Sequence, residues 1–144
     1  MISHDTYIRV RYAETDQMGF VYYGKYAEYF EVGRAEMIRH LGFTYKSVEE
    51  NGIFMPVADL QIKFRKPARY DDQLCVRTTV PTFPQASFLT EYEIFNEADE
   101  LLVKGMVRLA FFDREKLRPV RLPDFIKTAM EKHWPASAEE KHLS

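Results

Sequence analysis

The sequence is short of most features that announce a chemistry. A single cysteine, Cys75, stands among 144 residues. That excludes an internal disulfide framework and points to a reduced, buried thiol. The four histidines, His4, His40, His133 and His142, show no metal-ligand spacing, and H-E-x-x-H is absent, so no metal site is expected. G-x-S-x-G, G-x-x-x-x-G-K-[ST] and G-x-G-x-x-G are missing as well. Their absence removes the serine-hydrolase elbow, the P-loop and the dinucleotide fingerprint, and no cofactor is expected. No apolar run approaches the roughly 18 residues of a membrane span, and "MISHDTYIRV" has neither a basic nor an apolar leader segment. The expected location is the cytoplasm. An excess of one charge is lacking too: 20 Lys+Arg face 22 Asp+Glu, a formal net charge of −2. No field gathers a polyanion, and no nucleic-acid partner is expected.

Aromatics, by contrast, are abundant, with 9 Tyr and 11 Phe making up most of a 15% aromatic fraction. They suit a bulky core or an apolar ligand slot. The length fits one compact domain, read as residues 1–135, with 136–144 as a flexible tail.

"TYIRVRY", residues 7–12 with the preceding threonine, alternates Tyr7, Arg9 and Arg11 against Ile8, Val10 and Tyr12, and predicts a strand with one face buried. From Lys25 to Leu41 the period changes. Tyr26, Phe30, Gly33, Met37 and Leu41 form one helical stripe, with Glu28, Glu31, Arg34 and Arg39 toward the other side. Gly33 on the apolar stripe costs roughly 1 kcal/mol against alanine, so close packing on the backbone is expected there. "TYKSVEENG" predicts a short helix capped by Thr44 or Ser47. Four strands follow: "DLQIKFRKP", "DQLCVRTTV", "SFLTEYEIFN" and "LLVKGMVRLAFFD", read as an antiparallel meander. "LPDFIKTAMEKHW" closes with a helix that has proline at its start. The fold class is α+β, one dominant helix against one antiparallel sheet. An edge strand and an outer sheet face are left to cover, which favours self-association.

The residues that invite chemistry lie in "ETDQMGFVYYGKY". Gly19 and Gly24 free the backbone between strand and helix. The first N–H groups of a helix lack intrahelical acceptors and favour negative charge, so a carbonyl placed near Tyr23, Gly24 or Lys25 would meet an oxyanion site. Asp16 would attack that carbonyl or activate a water. The residues alone leave a plainer role open, in which Asp16 only caps the turn.

"RYAETDQMGFVYYGKYAEYFEVGRAEMIRHLG" resembles the signature of the 4-hydroxybenzoyl-CoA thioesterase branch of the hotdog-fold acyl-CoA thioesterases, with R-[FY]-x-[DE]-T-D-x-x-G-x-[VI] followed by an aromatic pair and a helix. "KFRKPARYDDQL" and the strand order resemble the family too, over roughly Tyr7 to Asp113. The resemblance implies one long central helix wrapped by a five-stranded antiparallel sheet. It implies an acyl-CoA substrate, hydrolysis to the free acid and CoA, and active sites at the interface of a homodimer, with tetramers common. It assigns Asp16 as nucleophile or general base and the backbone N–H of Tyr23 as the oxyanion donor. Many relatives carry histidine where this chain has Tyr23, so the resemblance does not carry over a mechanism that needs a side-chain imidazole, while one that uses the backbone N–H survives.

Phe20, Tyr22, Tyr23, Tyr26 and Tyr29 are candidates to line an acyl pocket. Tyr26 and Phe30 fall on the helix stripe and read as core. Phe20 and Tyr22, flanking the acid, are the better lining candidates, with Gly24 beside them. Lys63, Arg65, Lys66 and Arg69 offer cations for nucleotide phosphates, but charged strand ends are commonly just solvated, and these contacts stay unassigned. The alternative function is a non-catalytic acyl-CoA or acyl-carrier binding protein of the same fold. A dehydratase or hydratase of this fold ranks below both, because those relatives use a histidine and none lies near Asp16.

Overall fold

The computed structural model describes residues 1–135; the expected tail, 136–144, lies outside the described residues. Eight-residue β1 (Ile2–Arg9) leads through a 3-10 turn (Tyr12–Glu14) into α1 (Lys25–His40) and α2 (Tyr45–Glu50). Then come β2 (Ile53–Phe54), β3 (Val57–Phe64), β4 (Gln73–Val80), β5 (Ser87–Phe95), β6 (Leu101–Ala110), β7 (Phe112–Asp113) and α3 (Asp124–His133). The five long strands form one antiparallel sheet in the order β1-β4-β5-β6-β3, and β2 pairs with β7. This is the expected α+β arrangement.

Two strand expectations need correction. The first strand begins at Ile2 and ends at Arg9, so Tyr12 lies in the 3-10 turn and is exposed. β3 does not neighbour β4: it crosses the sheet to pair with β6, Leu60 opposite Val107 and Ile62 opposite Gly105. Only β4-β5-β6 form a meander. Alternation names the two faces of a strand but not its neighbours.

α1 is the longest helix, at 16 residues, and packs on β1 and β4. Phe30, Met37 and Ile38 are fully buried, each contributing about 1.5–3 kcal/mol of apolar burial. Phe30 stacks on Tyr92 of β5 with ring centroids 4.3 Å apart. Gly33 has the expected close neighbour: a Cβ there would come within 2.7 Å of Thr78 Oγ1 and 2.8 Å of Val76 Cγ1. β4 alternates as read, with Leu74, Val76, Thr78 and Val80 buried. At α2, Thr44 and Ser47 cap reciprocally, Ser47 N–H to Thr44 Oγ1 at 3.0 Å and Thr44 N–H to Ser47 Oγ at 2.9 Å.

Arg34 departs from the expected solvent face. It is 5% exposed; its Nε donates to the Tyr45 hydroxyl and its Nη1 to the Tyr92 hydroxyl at 2.9 Å. Thr90 Oγ1 lies 2.7 Å from the Tyr92 hydroxyl and donates to the Val107 carbonyl at 3.2 Å. The guanidinium thus ties α1 to α2 and β5.

Candidate functional site

Between the 3-10 turn and α1 the chain makes a tight loop whose ends pair, Thr15 opposite Val21. Asp16 N–H donates to the Phe20 carbonyl at 2.7 Å and Gly19 N–H to the Asp16 carbonyl at 3.0 Å. Gly19 takes φ +79, a left-handed conformation that glycine adopts without steric cost. Asp16 Oδ1 accepts from Met18 N–H at 2.9 Å and Phe20 N–H at 3.2 Å. That is the plainer capping role, and one oxygen carries it. Among the described residues Oδ2 has no hydrogen-bond partner. Capping and chemistry are therefore compatible in the same carboxylate.

The entry to α1 lies at the other end of this loop. Tyr22 N–H donates to the Glu14 carbonyl at 2.9 Å, Lys25 N–H to the Tyr22 carbonyl at 2.9 Å and Tyr26 N–H to the Tyr23 carbonyl at 3.4 Å. The N–H groups of Tyr23 and Gly24 meet no acceptor among the described residues. Of the three expected donors, Lys25 is thus already engaged, and Tyr23 and Gly24 are open. Gly24 does not use glycine's conformational freedom, with φ −67. A Cβ there would come within 2.8 Å of the exposed Tyr22 ring.

The loop is held to the body of the protein by the segment after β3. Phe20 pairs with Arg69, and Val21 N–H donates to the Ala68 carbonyl at 2.9 Å. Ala68 N–H in turn donates to the Tyr26 hydroxyl at 3.1 Å. Burial pushes the Tyr26 phenol above its ordinary pKa, and the negative charge of nearby Asp16 adds to the rise.

The aromatic candidates separate cleanly. Tyr22 and Tyr23 are exposed, with ring centroids 4.5 Å apart. Phe20 is half-buried under the Arg69 guanidinium, which lies 5.0 Å from its centroid. Tyr26 and Tyr29 are buried with α1. Tyr12, Met18, Tyr22, Tyr23, Phe64 and Tyr70 surround the turn with exposed apolar surface. Phe64 sits 5.5 Å, centroid to centroid, from Tyr26.

Of the basic residues, Lys66 is ion-paired with Glu100, and Lys63 faces Lys104 across the strand pair. His4, His40 and His133 gather at the far end of α1, with His4 and His40 centroids 5.1 Å apart and His40 and His133 6.2 Å apart. That end is roughly 22 Å from the helix start at 1.5 Å per residue. Among the described residues no group of His, Cys, Asp or Glu is arranged to hold a metal, and no helix is long and apolar enough to cross a membrane.

The helix laid on a five-stranded antiparallel sheet is a fold shared with solved hotdog-fold thioesterases. The chain belongs to the thioesterase-like superfamily, whose family model matches residues 10–130. It is 39% identical over 129 residues to YneP of Bacillus subtilis, covering 87% of this chain and 93% of that one. The acyl-CoA thioesterase YbgC of Haemophilus influenzae is 35% identical over 123 residues, covering 85% and 90%. Among solved structures, the DHNA-CoA thioesterase of Staphylococcus aureus superposes with a TM-score of 0.83 at 36% identity, over 95% of this chain and 98% of that one. The protein is thus a thioester hydrolase by family. These relatives include YbgC and a DHNA-CoA thioesterase and do not single out the 4-hydroxybenzoyl-CoA branch.

Proposed function

We propose that the protein hydrolyses acyl-CoA thioesters to the free acid and CoA, with Asp16 as the reacting carboxylate. The observation that carries this reading is the split duty of Asp16: Oδ1 anchors the turn through two N–H groups, and Oδ2 is left for substrate. The open N–H groups of Tyr23 and Gly24 then receive the thioester oxygen as charge develops on it, an effect worth about 100-fold to 1000-fold per donor.

Two routes use the same groups. In one, Oδ2 bonds to the carbonyl carbon, the C–S bond breaks and the sulfur leaves with its electron pair. The resulting anhydride is opened by water, regenerating the carboxylate. In the other, Oδ2 takes a proton from water as the water oxygen bonds to the carbon, and that proton passes to the departing sulfur. Either way the hydroxyl of one water ends on the acid and its hydrogen on the thiol. Phe20 and Tyr22 line the entry for the acyl group.

Residues 1–135 form one hotdog domain in this reading, with α1 as its central wrapped helix, and the enzyme works in the cytoplasm as a homodimer or tetramer. The edge strand β3 supports self-association. Among the described residues it pairs only with β6, and Leu60 and Phe64 are 43% and 54% exposed on it. A second copy joined along that edge would cover this surface and wall the open shoulder on which Asp16 sits. The relatives named for acyl-CoA and DHNA-CoA support a CoA ester, with 4-hydroxybenzoyl-CoA as one acyl group within the range.

The test is a panel of aliphatic and aromatic acyl-CoA esters and one acyl-carrier thioester, with free thiol followed for the wild-type protein. Release from CoA esters supports the reading. Tight binding with no release from any thioester would instead establish a binding protein.

A further inference from the structure

Glu14, two residues before Asp16, is the most heavily tied residue of the turn. Its Oε1 accepts from Arg11 N–H at 2.8 Å and from the Tyr29 hydroxyl at 3.1 Å. Its carbonyl accepts from Tyr22 N–H at 2.9 Å, and its own N–H donates to the Arg11 carbonyl at 3.0 Å. The side chain is only 12% exposed, and its ion-pair partner, Arg11, is a solvent-facing guanidinium 3.6 Å from Oε2. Placing a carboxylate this deep against a neutral phenol carries a desolvation cost that an exposed cation offsets poorly.

Tyr29 makes that contact from the second turn of α1 and is 2% exposed. Its ring meets Tyr26 edge-on, at 6.0 Å between centroids. The two phenols grip opposite sides of the loop: Tyr29 holds Glu14, and Tyr26 holds Ala68, whose carbonyl takes Val21 N–H. The Glu14 carbonyl fixes the Val21–Tyr22 peptide, one peptide before the one that carries the Tyr23 N–H. Its side chain fixes the 3-10 turn that leads into Asp16, through Arg11 N–H and the Tyr29 hydroxyl. One residue therefore sits on both halves of the candidate site and is keyed to the helix that joins them.

We propose that Glu14 and Tyr29 are a positioning pair, setting the placement of the Asp16 carboxylate relative to the Tyr23 and Gly24 N–H groups. The proposal rests on the thioesterase reading given above. Neither side chain touches the substrate; both act through the geometry of the turn. Reacting groups tolerate little displacement, and a shift of about 1 Å costs on the order of 100-fold in rate.

The experiment compares Glu14→Ala, Glu14→Gln, Tyr29→Phe and the α3 surface control Lys127→Ala, with decanoyl-CoA and benzoyl-CoA as probes. Glu14→Ala is expected to lower kcat about 30-fold to 100-fold and Tyr29→Phe about 5-fold to 20-fold, with KM within about threefold of wild type. Glu14→Gln is expected to stay within about threefold, because an amide oxygen accepts the same two hydrogen bonds. Unchanged kcat in both Glu14→Ala and Tyr29→Phe overturns the proposal. So does a loss in Glu14→Gln as large as in Glu14→Ala, which would make the charge, not the placement, the relevant property.

A second readout needs no turnover. The backbone amides of Met18 and Phe20, which report the Asp16 hydrogen bonds, are expected to shift in ¹H–¹⁵N spectra of Tyr29→Phe and to stay in place in Lys127→Ala. Unmoved amides in Tyr29→Phe overturn the positioning role. Absence of turnover in the wild-type protein overturns the thioesterase reading and leaves this spectral test standing.

Discussion

Gly33→Ala should destabilise the protein even though it improves the helix. In the interior of α1 the exchange of glycine for alanine gains about 1 kcal/mol in helix propensity. Against that, the new Cβ would stand 2.7 Å from Thr78 Oγ1 and 2.8 Å from Val76 Cγ1. Both obstacles are short β-branched side chains on β4, fully buried, with a stiff χ1 and no room to retreat. Overpacking of this kind costs about 1–3 kcal/mol, and more where two neighbours must move at once. Taking the overpacking near the top of that range, the net expectation is a loss of about 1–2 kcal/mol, a fall in Tm of roughly 3–6 °C for a chain of this size. Urea denaturation at fixed protein concentration measures it, with Gly33→Ala, Val76→Ala and the double variant forming a cycle. The double variant should lose less than the sum of the singles, because the cavity left at residue 76 receives the methyl group. A stabilised Gly33→Ala protein would refute the reasoning, since propensity would then have won over packing.

Tyr92→Phe removes the acceptor for Arg34 Nη1 and the hydroxyl beside Thr90. It should cost about 1–3 kcal/mol by chemical denaturation, because a buried charged donor loses its partner. The side-chain hydrogen bond from Arg77 holds the Asp5 carboxyl below its ordinary pKa. A folded pKa lowered in this way gives stability that is present above the unfolded value and lost as pH falls through the folded one. Asp5→Asn should therefore be less stable than wild type near neutral pH, the gap closing below about pH 4, as followed by denaturation midpoints against pH. Leu60→Asp, on the exposed edge of β3, should shift the proposed homodimer toward monomer in light scattering and lower turnover more than it lowers the folded fraction.

Much of this fold was legible because its elements carry strong periodic signals. α1 starts at the expected Lys25, β4 alternates residue by residue as read, and the Thr44–Ser47 cap forms with both candidates taking part. What could not be read was set by residues distant in the chain. Arg34 is placed inside by Tyr45 and Tyr92, and a charged residue at that helical spacing carries no mark of two phenols waiting for it. The position of β3 beside β6 depends on a crossing that strand alternation does not encode. In the turn, Gly19 and Asp16 announced themselves through residue type. Glu14 did not, because its partner Tyr29 comes 15 residues later and reads as one more aromatic on a buried stripe.

The direct test of the catalytic claim is kcat/KM of Asp16→Asn against wild type on the acyl-CoA ester that the wild-type protein hydrolyses fastest. Asparagine keeps an oxygen able to accept from Met18 and Phe20 N–H, so the turn should persist, but it supplies neither a base nor a competent nucleophile. The account predicts a fall of at least about 100-fold, with the fold retained by circular dichroism. Wild-type turnover in Asp16→Asn would contradict it.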